Sequence, residues 1–163
     1  MFEIVLFNPE IPPNTGNCMR LAANTGCRLH LIEPLGFTLD DTKLRRAGMD
    51  YRDRAVVKVH SDLASWRAAA APDRVFALSS SGAVRYTDVS FKAGDSLLFG
   101  PESVGLPTEV LEADWISEVV HIPMQAGVRS LNLANAVSVV IYEAWRQHGF
   151  TSSGQQPERD RLG

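Results

Sequence analysis

Short apolar runs alternate along the chain with segments of helical spacing, beginning at the first residues. The apolar runs predict strands at residues 2–7, 28–33, 55–59, 74–79, 95–100 and 118–122. The spacing between them predicts helices at residues 14–23, 39–48, 63–71 and 131–148. Strands that alternate with helices in this way are typical of an α/β fold with a mostly parallel sheet.

The last predicted helix has one apolar face, which we expect to be buried against the sheet. The residues of that face are Leu133, Val137, Val140, Ile141 and Ala144. The segment that follows, residues 151–163, is polar and contains Ser, Gly, Gln and Pro, so we predict a disordered tail. The chain of 163 residues is therefore interpreted as one domain over residues 1–150 and a tail.

Composition indicates an ordinary globular protein, with 45% hydrophobic and 21% charged residues. The net charge of −3 argues against a protein that coats nucleic acid by bulk charge, but it allows a local basic patch. Residues 2–7 are too short for a signal peptide, and no apolar run reaches membrane-spanning length. We therefore predict a cytoplasmic protein.

The cysteines and histidines do not suggest a metal site. Cys18 and Cys27 belong to no CxxC pair, and the four histidines are scattered along the chain, so we predict no zinc site. The two cysteines are compatible with a disulfide or with two buried free thiols, and a reducing cytosol favours the thiols.

Three loop-rich segments each follow a predicted strand, at residues 8–20, 97–107 and 122–135. In α/β sheets, ligands bind beyond the carboxyl ends of the strands. These three polar, glycine-containing segments are therefore candidates for the walls of one site.

The segment Gly100-Pro-Glu-Ser-Val-Gly-Leu-Pro107 is the most distinctive of the three. Its glycines allow close approach of the backbone to a ligand, and its prolines stiffen the loop. It is neither a P-loop nor a GxGxxG dinucleotide-binding turn. A tight turn at a strand end, without any ligand, explains the same residues equally well.

The other two segments contain polar residues with both a structural and a functional interpretation. Ser130 is a candidate N-cap of the last helix, and Asn14 is a candidate N-cap of the first. Asn132, one step inside the last helix, is placed to bond a substrate or hold the loop. Arg20 is either a solvated helix residue or, if it points into the site, a bidentate phosphate ligand.

A cluster of basic residues follows the second predicted strand. It comprises Lys43, Arg45, Arg46, Arg52 and Arg54, with Tyr51 as a possible stacking partner for a base. Such a patch is typical of phosphate contacts with RNA. The alternative is a solvated face that pairs with Asp40 and Asp41.

Together, the three segments resemble the three motifs of the SPOUT (TrmD/TrmH) RNA methyltransferases. Asn14-x-Gly16-Asn17-x-x-Arg20 is similar to the first motif, and LLFGPESVGLP at residues 97–107 to the second. IPM followed by SLNLANAVSVVIYEAW is similar to the third. The order is that of the family, and the resemblance extends from Phe2 to about Phe150. With IVLFNPEIPPNTGN and LRRAGMDYRD, the chain is most similar to the compact members that methylate the wobble nucleotide of tRNA.

The resemblance implies a sheet whose C-terminal part forms a trefoil knot, an obligate homodimer with the site at its interface, and S-adenosylmethionine as cofactor. The family's cofactor contacts correspond to Leu78, Gly100, Ile122 and Ser130, with Glu102, Leu106, Met124 and Leu131 beside them. Its catalytic positions correspond to Arg20, Ser130 and Asn132. We expect RNA to contact Asn14, Arg20, Lys43, Arg45, Arg46 and Arg52.

The resemblance therefore predicts methyl transfer from S-adenosylmethionine to the ribose 2′-hydroxyl of the wobble nucleotide, position 34, a cytidine or modified uridine, in leucine tRNAs. Because guanidinium groups hold their proton at neutral pH, we expect Arg20 to grip the adjacent phosphate and orient the hydroxyl, while the phosphate or water takes the proton. Two alternatives remain: a methyltransferase for another tRNA or rRNA position, and an RNA-binding module without catalysis.

Overall fold

The computed structural model describes residues 1–39 and 56–151. Its strands are β1 (Glu3–Phe7), β2 (Arg28–Ile32), β3 (Val56–His60), β4 (Val75–Leu78), β5 (Val84–Arg85), β6 (Ser96–Phe99) and β7 (Glu118–His121). Its helices are α1 (Pro12–Thr25), α2 (Leu63–Ala70), α3 (Thr108–Leu111) and α4 (Leu133–Gln147). A 3₁₀ turn, Tyr86–Asp88, follows β5. The predicted helix at 39–48, the basic cluster and the predicted tail after Thr151 lie outside the described residues.

The strands form one seven-stranded sheet in the order β3-β2-β1-β6-β4-β7-β5. Every pair of neighbours is parallel, which confirms the predicted α/β class. β1 lies between β2 and β6, although β6 comes almost ninety residues later in the chain, with Leu6 paired to Leu31 and to Phe99.

Each face of the sheet carries its own core. On one face, α1 and α4 cover Ile4, Leu6, Leu29 and Leu97 of the strands. The predicted apolar face of α4 is buried in this core, as expected. On the other face, Trp66 of α2 packs with Val5, Ile32 and Leu98. Because both faces are covered, the central strands carry apolar residues on both faces, as buried parallel strands usually do, with Glu3 and Ser96 as buried polar residues where β1 and β6 begin.

The predicted strands and helices are confirmed to within one or two residues at most ends. β5 and α3 were not predicted, because two and four residues are too short to carry a periodic signal. Both cysteines are free and buried, as one of the two alternatives proposed.

Candidate active site

The carboxyl ends of β1, β6, β4 and β7 lie side by side, because these strands are parallel neighbours in the sheet. The three loop segments singled out in the sequence leave the sheet at these ends, after Phe7, Phe99 and His121. The structure therefore places all three loops at one edge, as predicted.

Glu102 connects the second loop, residues 97–107, to the first loop, residues 8–20. The third loop is residues 122–135. Oε2 of Glu102 accepts a hydrogen bond from the Glu10 backbone N–H at 2.8 Å. Its Oε1 accepts from the Ile11 N–H at 3.2 Å and from Nδ2 of Asn14 at 2.9 Å. Three donors that lie about ninety residues away in sequence thus converge on one carboxylate.

This carboxylate sits where α1 begins, at a point where the helix has no cap of its own. Ile11 is the N-cap residue and makes no side-chain cap bond, and Pro12 and Pro13 follow it. Proline suits these positions, because the first helical N–H groups have no partner within the helix. The negative charge of Glu102 also interacts favourably with the positive end of the helix dipole.

A second carboxylate makes the connection reciprocal. Oε2 of Glu10 accepts from the Ser103 backbone N–H at 2.9 Å, and Oε1 accepts from the Ser103 hydroxyl at 2.8 Å. Each loop therefore contributes one carboxylate that binds the backbone of the other.

Asn14 extends the connection to the third loop. Its Oδ1 accepts from Nδ2 of Asn132 at 2.8 Å, while Oδ1 of Asn132 accepts from the backbone N–H groups of Ala134 at 3.0 Å and Asn135 at 3.4 Å. One chain of side chains, Glu102–Asn14–Asn132, thus links all three loops and ends on the first turn of α4.

This arrangement corrects two predictions about helix caps. The N-cap of α4 is Asn132 and not Ser130, which is exposed two residues earlier. Asn and Ser are comparable N-caps, and Asn132 has in addition an amide N–H₂ group that reaches Asn14. The N-cap of α1 is Ile11 and not Asn14, which lies inside the first turn and uses its side chain between the loops.

Gly100 is held in a space that admits no side chain. A Cβ atom built there would lie 2.4 Å from the carbonyl carbon of Gly105 and 2.4 Å from the backbone nitrogen of Leu106. The loop therefore folds back on its own start. Gly105 has φ +72°, a conformation that favours glycine, but a Cβ there would meet open space.

The residues that the resemblance assigns to the cofactor differ in burial. Leu78 and Ile122 are half-buried where β4 and β7 end, and Gly100 and Glu102 are likewise half-buried. Leu106 is buried and packs with Val110 in the core on the α2 side. Met124, Ser130 and Leu131 are exposed in the segment between β7 and α4.

The predicted catalytic arginine lies on an outer face of the first helix. Arg20 is exposed on α1, as are Asn17 and Asn24, whereas Cys18 and Met19 between them are buried. Burial, together with the nearby Glu102 carboxylate, raises the pKa of the Cys18 thiol to about 12. Cys18 is therefore a neutral packing residue under the first loop. The predicted RNA ligands Lys43, Arg45, Arg46 and Arg52 lie outside the described residues.

Residue-level predictions missed Glu10 and Ser103, although both lie within the predicted segments. Nothing in either segment indicates a partner 93 residues away. Within residues 1–39 and 56–151, no group of three or more His, Cys, Asp or Glu side chains is arranged to hold a metal ion. No helix in the same ranges is long and apolar enough to cross a membrane.

The chain is similar to known proteins over almost its whole length. A curated relative from Saccharophagus degradans, named tRNA (cytidine(34)-2′-O)-methyltransferase, is 56% identical over 153 residues, which cover 94% of this chain and 99% of the relative. A solved structure described by the 2′-OH methylation of C/U34 on tRNA is 49% identical, with a TM-score of 0.86, covering 93% of this chain and 98% of its own.

A more distant solved structure, an AdoMet-bound rRNA methyltransferase from Sinorhizobium meliloti, is 28% identical with a TM-score of 0.77. The match covers 89% of this chain and 56% of that one. The SpoU rRNA methylase family matches residues 1–142, a span that contains all three loops and most of α4. With this match and relatives above 50% identity, the chain belongs to the SpoU methylase family.

Proposed function

We propose that this protein transfers the methyl group of S-adenosylmethionine to the ribose 2′-hydroxyl of the wobble nucleotide, position 34, of tRNA. The observation that carries the proposal is the Glu102–Asn14–Asn132 chain, which fixes the three family motifs against one another at the carboxyl edge of the sheet. The relative at 56% identity, whose name states this reaction, supports the choice of substrate.

The residues at the carboxyl ends of β4, β6 and β7 fit the cofactor. Leu78 and Ile122 offer half-buried apolar surface for a purine ring, and Gly100 keeps the backbone of the loop tightly folded beside them. Met124 and Leu131 are exposed, and their backbone groups are candidates for bonding the polar parts of the molecule. When bound, the cofactor supplies an activated methyl group on a sulfonium.

The role of the polypeptide is to hold the ribose oxygen in line with that methyl group and to help remove its proton. Arg20 is the candidate for binding the phosphate next to the target ribose, because its planar group binds phosphate through two parallel hydrogen bonds. The proton then passes to that phosphate or to water. Ser130, exposed before α4, is the candidate for the reacting side of the cofactor.

Asn132 and Glu102 act as positioning residues in this proposal. Both oxygens of Glu102 accept bonds from the first loop, and both ends of the Asn132 amide are engaged by Asn14 and by α4. They therefore hold the backbone of the site rather than touch the reacting atoms.

We also propose that two chains form a dimer with the site at the interface. The side chains of Ile11, Met124, Val128 and Leu131, which lie in the first and third loops, are all more than a third exposed. Val139 and Tyr142 on α4 are 37% and 45% exposed and share one helix face. Sedimentation over a range of concentrations tests this, and a Tyr142→Glu chain should sediment as a monomer.

Two further proposals follow from family membership. A trefoil knot is supported by β7, which lies between β4 and β5 although it follows both in sequence, and by Gly82, where a Cβ would lie 2.7 Å from the Val120 carbonyl carbon. A cytoplasmic location is supported by the substrate, since tRNA is modified there.

A second candidate substrate is ribosomal RNA, favoured by the family's description and by the Sinorhizobium meliloti structure. Both candidates are tested by supplying the protein with S-adenosylmethionine and, separately, unmodified tRNA or ribosomal RNA, followed by complete digestion to nucleosides. A 2′-O-methylated nucleoside from tRNA alone supports the proposal. A methylated base, or a product from ribosomal RNA alone, contradicts it.

A further inference from the structure

A cluster of charged and titratable side chains lies at the β3 side of the sheet, outside the site described above. Glu3 of β1, Arg28 and His30 of β2, and Lys58 and His60 of β3 line one open pocket, and Ala69 and Ala70 of α2 complete it. The helix brings no charge to the pocket, so its chemistry comes from the three strands.

The inner part of this cluster is a hydrogen-bonded chain that begins at a buried carboxylate. Glu3 is only 6% exposed, and Nε of Arg28 donates to its Oε1 at 2.7 Å. Burial by itself raises the pKa of Glu3, but the bonds from His30 and Arg28 outweigh it and hold that pKa below the ordinary value. Glu3 is therefore ionised at neutral pH and can only accept hydrogen bonds.

With His30 in its neutral form, this carboxylate sets the proton positions on both histidines. Nε2 of His30, 2.8 Å from Oε2 of Glu3, must carry the proton that it donates. In a neutral ring, Nδ1 of His30 is then an acceptor, so Nε2 of His60, 2.9 Å away, must donate to it. Nδ1 of His60 is left with no partner among the described residues. His60 can therefore gain a proton at Nδ1 without breaking the inner chain.

The outer part of the cluster is cationic. Glu3 cancels one positive charge, and Lys58, which forms no ion pair with any described residue, adds another. The Arg28 side chain is 58% exposed and uses Nε and Nη2 for Glu3, which leaves Nη1 as its remaining donor group. The pocket has a net charge of one positive unit, which becomes two when His60 is protonated.

One end of the pocket lies near the first loop: His60 ends β3 on that side of the sheet, whereas Glu3 and Arg28 begin β1 and β2 at the opposite end of the strands. The Glu33 N–H donates to the carbonyl of His60, and the Asn8 N–H donates to the carbonyl of Ile32. Since β3 and β1 are separated only by β2, two strand spacings of about 4.8 Å each separate the end of β3 from the start of that loop. A nucleic acid bound at the loop is long enough to reach the pocket.

We propose that the pocket formed by Arg28, Lys58 and His60 binds a backbone phosphate of the tRNA, away from the nucleotide that is methylated. This rests on the proposed function, since the phosphate belongs to the tRNA substrate. The pocket contains no base-sized apolar surface, so it contributes affinity and orientation but reads no sequence.

The proposal predicts a linkage between phosphate and proton binding. Burial, the neighbouring His30 and the Lys58 ammonium lower the pKa of His60. A bound phosphodiester favours the protonated ring and therefore raises the pKa of His60. By reciprocity, the affinity for the phosphodiester rises as the pH falls through the pKa of His60. The charged groups that face His60 are Lys58 on its own strand and Glu3, Arg28 and His30 on the other two.

The first arm of the test measures tRNA affinity against salt for wild type, Lys58→Ala and Lys92→Ala. Lys92 is an exposed lysine outside the pocket and serves as the matched control. For Lys58→Ala, the slope of log K against log salt should become shallower by about 0.7 to 0.9, the contribution of one phosphate. Equal slopes for the two variants would overturn the proposal.

The second arm needs no tRNA. The His60 ring resonance, assigned with His60→Gln, is titrated with pH in the presence and absence of dimethyl phosphate, a diester anion of constant charge, at equal ionic strength. The midpoint should rise with dimethyl phosphate in wild type and rise less in Lys58→Ala. If dimethyl phosphate does not shift the His60 midpoint, the pocket is not an anion site and the proposal is overturned. If the midpoint shifts but Lys58→Ala leaves the salt slope for tRNA binding unchanged, the assignment to tRNA is overturned. If the chain methylates no tRNA, the proposed function fails while this titration still tests the pocket.

Discussion

Asn14 on α1 and Glu102 after β6 are joined by a hydrogen bond of 2.9 Å from Nδ2 to Oε1, across 88 residues of sequence. The same Asn14 accepts from Asn132 with its other end. An asparagine that donates to one loop and accepts from another fixes the spacing of both. The second loop, the first loop and the start of α4 therefore behave as one unit.

Replacing Glu102 by Gln should loosen this unit. The amide has one acceptor oxygen in place of two, so at least one donor at the start of α1 is left unpaired. We expect the free energy of unfolding to fall by about 1–3 kcal/mol and the methylation rate to fall about tenfold. Denaturant unfolding and single-turnover kinetics measure these effects.

The matched control is Glu109→Gln, because Glu109 is an exposed carboxylate in the first turn of α3. Its effect on stability should stay within about 0.5 kcal/mol. Equal stability and rate for Glu102→Gln and the control would contradict the positioning role of Glu102.

Replacing Gly100 by Ala should damage cofactor binding. The added methyl group would lie 2.4 Å from the backbone at Gly105 and Leu106, so the loop must move. We expect the dissociation constant for S-adenosylmethionine, measured by calorimetry, to rise tenfold or more, equivalent to about 1.4 kcal/mol. Gly105→Ala adds the same methyl group into open space and strains only its own φ, so its increase should be smaller. The reverse order would show that the fold of this loop does not control binding.

Arg20→Ala should abolish most of the activity while leaving the cofactor bound. If Arg20 holds the phosphate beside the target ribose, kcat/KM should fall about a hundredfold, equivalent to about 2.7 kcal/mol. Arg20→Lys keeps the charge but loses the two parallel bonds, so its kcat/KM should lie between those of Arg20→Ala and the wild type. Arg85→Ala, which removes an exposed arginine paired with Asp88, is the control. A near-normal rate for Arg20→Ala would exclude both a phosphate-binding and a basic role.

Stability should fall on acidification in two steps. The fold lowers the pKa values of both His60 and Glu3, so the folded state resists protonation at each group. The stability from each group is therefore complete above the pKa that the group has in the unfolded chain, and it is lost as the pH falls below that pKa. With ordinary values of 6.5 and 4.5, the loss should begin near the first and deepen below the second. Melting temperatures recorded at successive pH values measure it.

Glu3→Gln should remove the lower step, because the carboxyl group is gone, and leave the upper one in place. Glu118→Gln, at an exposed position, should leave both. A wild-type protein that becomes more stable as the pH falls from 6.5 to 4 would contradict the linkage.

The sequence predicted most strands and helices, because the central strands are apolar on both faces and α4 has a continuous apolar stripe. It also predicted that the loops after residues 7, 99 and 121 meet, since the carboxyl ends of parallel strands share an edge. The strand order was beyond local patterns, because the pairing of Leu6 with Phe99 depends on tertiary packing.

The finer structure of the site was not predictable for the same reason. Ser130 and Asn132 are both good N-caps by residue type, and the bond to Asn14 that distinguishes Asn132 depends on the fold. Glu3 and His30 carry a signal in retrospect, as polar residues within otherwise apolar strands, but their bond to each other needs the register of β1 and β2.

The most direct test of the central claim is to map the methyl group. The protein is incubated with labelled S-adenosylmethionine and tRNA that lacks modifications, and the labelled nucleotide is located by fragment analysis, with Arg20→Ala alongside. We predict label on the ribose 2′-oxygen of nucleotide 34 in the wild-type reaction and almost none with the variant. Label on a base, at another position, or in equal amount with Arg20→Ala would contradict the account.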